Sequence, residues 1–336
     1  MQRRDFLLAA GQTAAAGLLA TAVSHHGHVR AATTERKIKV GQIGTAHAHA
    51  GGKMDALRKL TDQYEVVGVV EPDAALREAA MRQAVYRGLR WMTEEELLNT
   101  PGLQAVAVET AVRDLIPTAA RCVAAGMHLH LDKPAGASLP AFKKVLDEAA
   151  RQKLTIQMGY MFRNNPAFQF CFRAVREGWL GEVFEVHAVI SKKDPDSQRL
   201  RLAEFSGGSM FELGCHVIDA TVAVMGRPER VTPFLRRTRP DLDTLADNTL
   251  AVLEYPRATC TVRSSLIEFE GGQRRQFVVC GDKGTIDIRP LEPPKLLLAL
   301  ETPREPFRRG YQEVPLPKMQ GRYDDQLAEL AKIIRG

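Results

Sequence analysis

The sequence predicts an α/β chain in two parts: an N-terminal Rossmann domain, then an α+β domain built on a large, mostly antiparallel open sheet. Two observations carry that reading. From about residue 36 to 155, short apolar runs alternate with amphipathic segments of helical spacing, the signature of βαβ units on a parallel sheet. From 156 to 336 strand-like runs follow one another directly, with turns such as "EYPRAT" and "FEGGQR" between them.

Taken in order, "KIKVGQIG" is a buried strand ending in a glycine turn, and "AGGKMDALRKL" has the apolar spacing of a helix. "YEVVGVVEPD" and "AALREAAMRQA" repeat the pair. "LQAVAVET" leads into the helix "LIPTAARCVAAG", then the strand "MHLHLD", the helix "LPAFKKVLDEAARQK" and the strand "LTIQMGY". In the second part "FEVHAVISKK", "NTLAVLEYP", "ATCTVRSSLIEFEG", "RRQFVVCGD" and "GTIDIRP" read as strands. "FLRRTRP" (234–240) reads as a solvated basic loop.

Ahead of these domains stands "MQRRDFLLAAGQTAAAGLLATAVSHHGHVRAATT". A twin arginine, a weakly apolar run and small residues resemble a twin-arginine (Tat) export signal, with cleavage near Val29-Arg30-Ala31. Residues 1–31 are therefore expected to leave on export to the periplasm, with no stable membrane anchor afterwards. The net charge is +6; removing Arg3, Arg4, Arg30 and Asp5 leaves about +4, too mild to argue for nucleic acid. The five cysteines are odd in number and scattered without a CxxC, so buried free thiols are expected, and export permits one disulfide. "LAELAKIIRG" breaks off in a helical pattern, which suggests a truncated C-terminus.

Three clusters carry the candidate chemistry. In "VGQIGTAHAHAGG", Gly44 opens a turn in which Ala46 and His49 occupy two slots that a dinucleotide fingerprint gives to glycine. His47 and His49 are either satisfied histidines or substrate contacts. The second strand ends in Glu71-Pro72-Asp73, where an acid would bind a ribose hydroxyl pair and repel a 2′-phosphate, favouring NAD over NADP. Lys133-Pro134 stands at a strand tip, where open α/β sheets bind ligands. Finally, "GGSMFELGCHVIDATVAVMG" spaces Glu212, His216 and Asp219 at i, i+4 and i+7 of a helix. One face would then hold a carboxylate beside an imidazole, the arrangement of a general base. A half-buried structural cluster and a divalent cation site are the alternatives; the first reading holds no metal.

Together these residues resemble the Gfo/Idh/MocA oxidoreductases, from about Lys37 to the end. Asp132-Lys133-Pro134 matches the family's Glu-Lys-Pro, "GYMFRNNPAF" its entry into the second domain, and Gly207-Gly208 with Glu212 to His216 its Asp-x-x-x-His helix, with Glu for Asp. The resemblance implies NAD bound by Gly44, Thr45, Ala46, His47, Glu71, Thr110, Asp132 and Lys133. It implies Lys133 beside the reacting oxygen, His216 as proton acceptor and Glu212 supporting it. Tyr160, Arg163, Asn165 and Asp219 are candidates for the substrate. The implied reaction is hydride transfer from a secondary hydroxyl of a sugar, polyol or related carbohydrate, in a homo-oligomer. The alternatives are a glycoside hydrolase or lyase on the same fold, and a non-catalytic carbohydrate-binding protein.

Overall fold

A computed structural model describes residues 36–336; residues 1–31, where an export signal is expected, lie outside the described residues. The first sheet is built from β1 (Ile38–Ile43), α1 (Ala50–Lys59), β2 (Tyr64–Val70), α2 (Ala74–Met81), β3 (Trp91–Met92), α3 (Glu94–Leu98), β4 (Leu103–Val108), α4 (Val112–Ala124), β5 (His128–Leu131), α5 (Leu139–Arg151) and β6 (Ile156–Met158). Its six strands are all parallel, in the order β3-β2-β1-β4-β5-β6, the doubly wound order of a Rossmann fold. The central strands β1 and β4 are buried almost throughout, as a sheet covered on both faces requires.

The second sheet follows from α6 (Pro166–Arg176), β7 (Val183–Ser191), α7 (Asp196–Leu202), α8 (Cys215–Met225), β8 (Arg230–Arg236), β9 (Asn248–Tyr255), β10 (Ala258–Ser265), β11 (Gln276–Gly281), β12 (Gly284–Leu291), β13 (Pro294–Leu300) and β14 (Gly310–Glu313). Eight strands run β14-β13-β12-β11-β7-β10-β9-β8, antiparallel except for the β7–β10 pair. Phe168, Phe277 and the alternating Leu296, Leu298 and Leu300 fill its inner face, with α6 and α8 packed on it.

Part of "FLRRTRP" is not a loop. Phe234 to Arg236 end the edge strand β8, paired with β9. Its side chains are mostly exposed, so burial left no alternation to read; the backbone ladder holds it. A proline and arginines are compatible with a strand that has solvent on one side. Strand β13 also escaped the sequence reading, because Leu297 on the outer face hides the two-residue period. All five cysteines are free thiols; Cys122, Cys171 and Cys260 are buried, Cys215 and Cys280 half-buried. Among the described residues no helix is long and apolar enough to cross a membrane.

The last helix, α9 (Asp324–Arg335), turns back onto the first sheet and packs against α1. Its anchor is polar and buried. The Lys53 ammonium on α1 donates to His130 Nε2 at 2.5 Å and to Gln326 Oε1 at 3.2 Å. His130 Nδ1 therefore carries the proton and donates to Gln157 Oε1 at 3.0 Å. Gln157 donates to the Gln326 carbonyl, and Gln326 to that of Met158. Burial, and next the Lys53 charge, push the His130 pKa down to about 3.

That depression fixes a sign. The unfolded chain takes up a proton on His130 below about pH 6.5 while the native state refuses it. The stabilisation is therefore full above that pH and is lost as pH falls towards 3. Unfolding free energies measured by urea titration between pH 7 and 4 should fall with a His130 contribution of about 1.4 kcal/mol per pH unit. His130→Gln should flatten that slope by about one proton; an unchanged slope would contradict the assignment.

Candidate active site

The glycine turn joins β1 to α1. Gly44 has φ +94°, and a Cβ there would stand 2.6 Å from the Thr110 nitrogen at the tip of β4, so glycine alone fits. Next to it the Glu71 carboxylate, at the tip of β2, accepts from both Thr45 N and Thr45 Oγ1 at 2.7 Å and from Asp73 N at 3.1 Å. Thr45 thus locks the acid in place. Gly44, Ala46, Glu71 and Thr110 line one cavity of about 430 Å³, with Asp73 and Asp114 on its rim. Four of the eight residues expected to hold the dinucleotide therefore share a wall.

His47 and Asp132 do not face that cavity. Asp132 is fully buried, and its carboxylate accepts from the Lys133 backbone N–H at 2.6 Å. His47 Nδ1 and His49 Nδ1 lie 3.2 and 3.1 Å from Asp132 Oδ2, and His47 Nε2 donates to the Lys133 carbonyl at 2.9 Å. Both histidines turn towards Asp132 instead of into that cavity. Beneath them sits Glu109, completely buried, whose two carboxylate oxygens take no hydrogen bond. Burial, and then the adjacent Asp132, push the Glu109 pKa well above the usual carboxylate range. Asp132 is pushed up by burial too, but Lys53, His47 and His49 more than offset this and hold it well below.

Lys133 begins the cis Lys133–Pro134 bond at the tip of β5. Its ammonium crosses to the second domain, donating to the Glu212 carbonyl at 2.9 Å, with Glu212 Oε1 at 3.5 Å. Glu212 Oε2 is 3.3 Å from Lys192 Nζ. Burial lowers the Lys133 pKa, but Glu212, Cys215 and Asp132 outweigh it, and the ammonium is held above its ordinary value.

The expected single face of Glu212, His216 and Asp219 does not exist. Residues Met210–Gly214 form a π-helical turn before α8, which breaks the i, i+4 register between Glu212 and His216. Glu212 serves Lys133 and Lys192, not the imidazole. Asp219 pairs with Arg163 through two bonds of 2.8 and 2.6 Å. Their ligand atoms do not gather, so this face is no metal site; among the described residues the group able to hold an ion is His47, His49 and Asp132.

His216 is 2% exposed, packed against the Tyr160 ring (centroids 6.2 Å apart) and the Phe162 ring (5.7 Å). Its Nδ1 takes no hydrogen bond. Burial first, then the Lys133 charge, hold its pKa well below normal, which favours the neutral imidazole. Pro134 and Cys215, the chain neighbours of Lys133 and His216, line a cavity of about 630 Å³ with Tyr160 and Asp219; Lys133 and His216 themselves do not line it. Asn165 is elsewhere: it caps α6 by accepting from Ala167 N and donates to the Leu291 carbonyl, a structural duty that removes it from the substrate set.

Glu109, Lys192 and Lys53 were missed by the sequence reading. Lys53 left a trace, as the one charge in the apolar stripe Ala50, Lys53, Met54, Leu57.

Comparison with known proteins adds the following. The sequence profile described as "Oxidoreductase family, NAD-binding Rossmann fold" (GFO_IDH_MocA) matches residues 38–160, and that of the "GFO/IDH/MocA C-terminal domain" matches 168–287. An uncharacterized oxidoreductase of Rhizobium meliloti, ORF334, is 28% identical over 245 residues, which cover 72% of this chain and 68% of that one. A D-xylose 1-dehydrogenase (NADP(+)) of Haloferax volcanii is 26% identical over 257 residues, 74% and 75% of the two chains. A levoglucosan dehydrogenase solved with NADH and levoglucosan superposes with a TM-score of 0.76 at 17% identity, covering 89% of this chain and 90% of that one, a likeness of fold.

Removing one partner of a buried ion pair strands the other charge, at about 3–5 kcal/mol. Glu212→Ala should therefore destabilise the protein by about that much in urea unfolding at pH 7, whereas Asp219→Ala, whose partner Arg163 is half exposed, should cost about 1 kcal/mol or less. Equal costs would show that Glu212 does not hold the ammonium.

Proposed function

From the premise that the chain belongs to the GFO/IDH/MocA oxidoreductase family, we propose that it is an exported NAD-dependent oxidoreductase acting on a secondary hydroxyl of a sugar, polyol or related carbohydrate. The observation that carries the reading is the Lys133 ammonium bonded to the Glu212 carbonyl, one turn before His216, with their neighbours Pro134 and Cys215 lining a cavity.

The residues fit a dinucleotide. Gly44, Ala46 and Thr110 leave room for its backbone, and Glu71 offers a carboxylate for the ribose. Acidic Glu71, Asp73 and Asp114 around that cavity favour NAD over NADP. When bound, nicotinamide supplies the acceptor for a hydride. The chain's own groups supply the rest. The Lys133 ammonium stabilises the substrate oxygen as negative charge develops on it. Glu212 and Lys192 fix the direction of that ammonium. The unspent lone pair of His216 accepts the hydroxyl proton, and its low pKa keeps it ready to do so at neutral pH. Tyr160 and Asp219 line the cavity, and Arg163 holds the Asp219 carboxylate in place. The sugar and polyol dehydrogenases among its relatives support the substrate class.

Free NAD is scarce outside the cytoplasm, so a cofactor loaded before export and held through turnover suits the Tat reading of residues 1–31. The outer face of the eight-stranded sheet offers a surface for a homo-oligomer.

Denaturing the purified protein and assaying the supernatant should release about one NAD per chain; no nucleotide, and no binding of added NAD, would overturn the reading. Glu71→Gln should weaken NAD binding about tenfold. Lys133→Ala should lower kcat by about 10²–10³ with little change in NAD affinity. Separately, Arg3→Lys with Arg4→Lys should leave the protein in the cytoplasm in a fractionation experiment; undiminished export would discard the twin-arginine route.

A further inference from the structure

Tyr160 also lines a further cavity, of about 430 Å³, that the reaction described above does not use. Its walls come from the edge strand β6 and from α6, α8 and α9. The polar side chains there are only partly spent. Gln169 gives its amide N–H to the Arg163 carbonyl. Asn164 Nδ2 donates to Glu329 Oε2 at 2.9 Å, while Asn164 Oδ1 is buried with no donor. Among the described residues, Tyr160 Oη, Thr155 Oγ1, Gln169 Oε1 and Glu329 Oε1 make no hydrogen bond. Burial pushes the Tyr160 phenol above its ordinary value, so it keeps its proton and can donate. Between these groups stand the apolar side chains of Ile156, Phe172 and Ile333. The charges on the wall, Arg163 and Glu329, are opposite in sign and leave no net field for an ion.

We propose that this cavity is a subsite for a neutral sugar ring, and that the substrate is at least a disaccharide whose second ring is held here. A pyranose carries hydroxyls round its rim, each both donor and acceptor, and C–H groups on its faces. The wall answers both: hydroxyl donors at Tyr160 and Thr155, oxygen acceptors at Gln169 and Glu329, and apolar surface at Phe172 and Ile333. A purely apolar occupant would leave those polar groups unpaired, at about 1–3 kcal/mol for each one buried. The volume lies within the range of small-molecule sites. The cavity also adjoins the one at Pro134 and Cys215. Tyr160 lines both; Asp219 lines that one and Arg163 this one, and the two side chains pair across the boundary at 2.8 and 2.6 Å. One ring can thus sit on each side of Tyr160, whose own ring packs on His216. That the ring at Pro134 and Cys215 is the one oxidised rests on the oxidoreductase reading; that a sugar occupies the cavity at Gln169 does not.

The test is calorimetric titration of the full chain, first with NAD and then with maltose, cellobiose, lactose and melibiose beside glucose and galactose. At least one disaccharide should bind about tenfold or more tightly than either of its monosaccharides. Ala223→Trp, which fills the cavity from an exposed position of α8, should abolish that preference. Gln169→Ala, exposed on α6, should reduce it about threefold to tenfold. Both variants should bind NAD as the parent does. No preference for any disaccharide, or a preference that survives Ala223→Trp, would overturn the proposal. NAD binding without a disaccharide preference discards the subsite alone; a disaccharide preference without NAD binding discards the oxidoreductase reading and leaves the subsite standing. Should Ala223→Trp fail to fold, Gln169→Ala decides.

Discussion

The contact on which the arrangement depends is the ammonium of Lys133 held against Glu212. It is made by two segments seventy-nine residues apart, one at a strand tip of the first sheet, the other on the π turn before α8. A buried lysine loses its charge unless a counter-charge stands close. Glu212 supplies one, Lys192 shares its second oxygen, and the Glu212 main-chain carbonyl adds a hydrogen bond. The same contact therefore keeps a cation at a site closed to water and draws helix α8, with His216, towards the carboxyl ends of the parallel strands.

Around that contact the first domain is unusually polar inside. Lys53, His130, Gln157 and Gln326 form one bonded chain, and His47, His49 and Asp132 form a second, with Glu109 buried beside it. A satisfied network rigidifies and specifies packing.

Most of the fold was legible in the chain. Apolar runs ending in Gly44, Glu71 and Lys133 announced strand tips, and the spacing between them announced the crossover helices. The roles of Glu212 and Asp132 were not legible. Helical arithmetic from 212 to 216 assumes 3.6 residues per turn, and a single π turn rotates Glu212 away; no residue in "MFELG" signals it. Asp132 lies on the alternation of β5, but which way its side chain turns depends on the histidines that meet it from an element eighty residues earlier. Sequence pattern reports local period; it is silent on which distant partner claims a charge.

Strand β8 has a consequence for assembly. It ends the large sheet with Pro233 among arginines, and β14 closes the other end with four residues. Neither margin presents the long run of free N–H and C=O groups that another chain could extend. A further copy of this protein approaching the sheet must lie flat across it, side chain to side chain, and cannot lengthen it into a continuous ribbon.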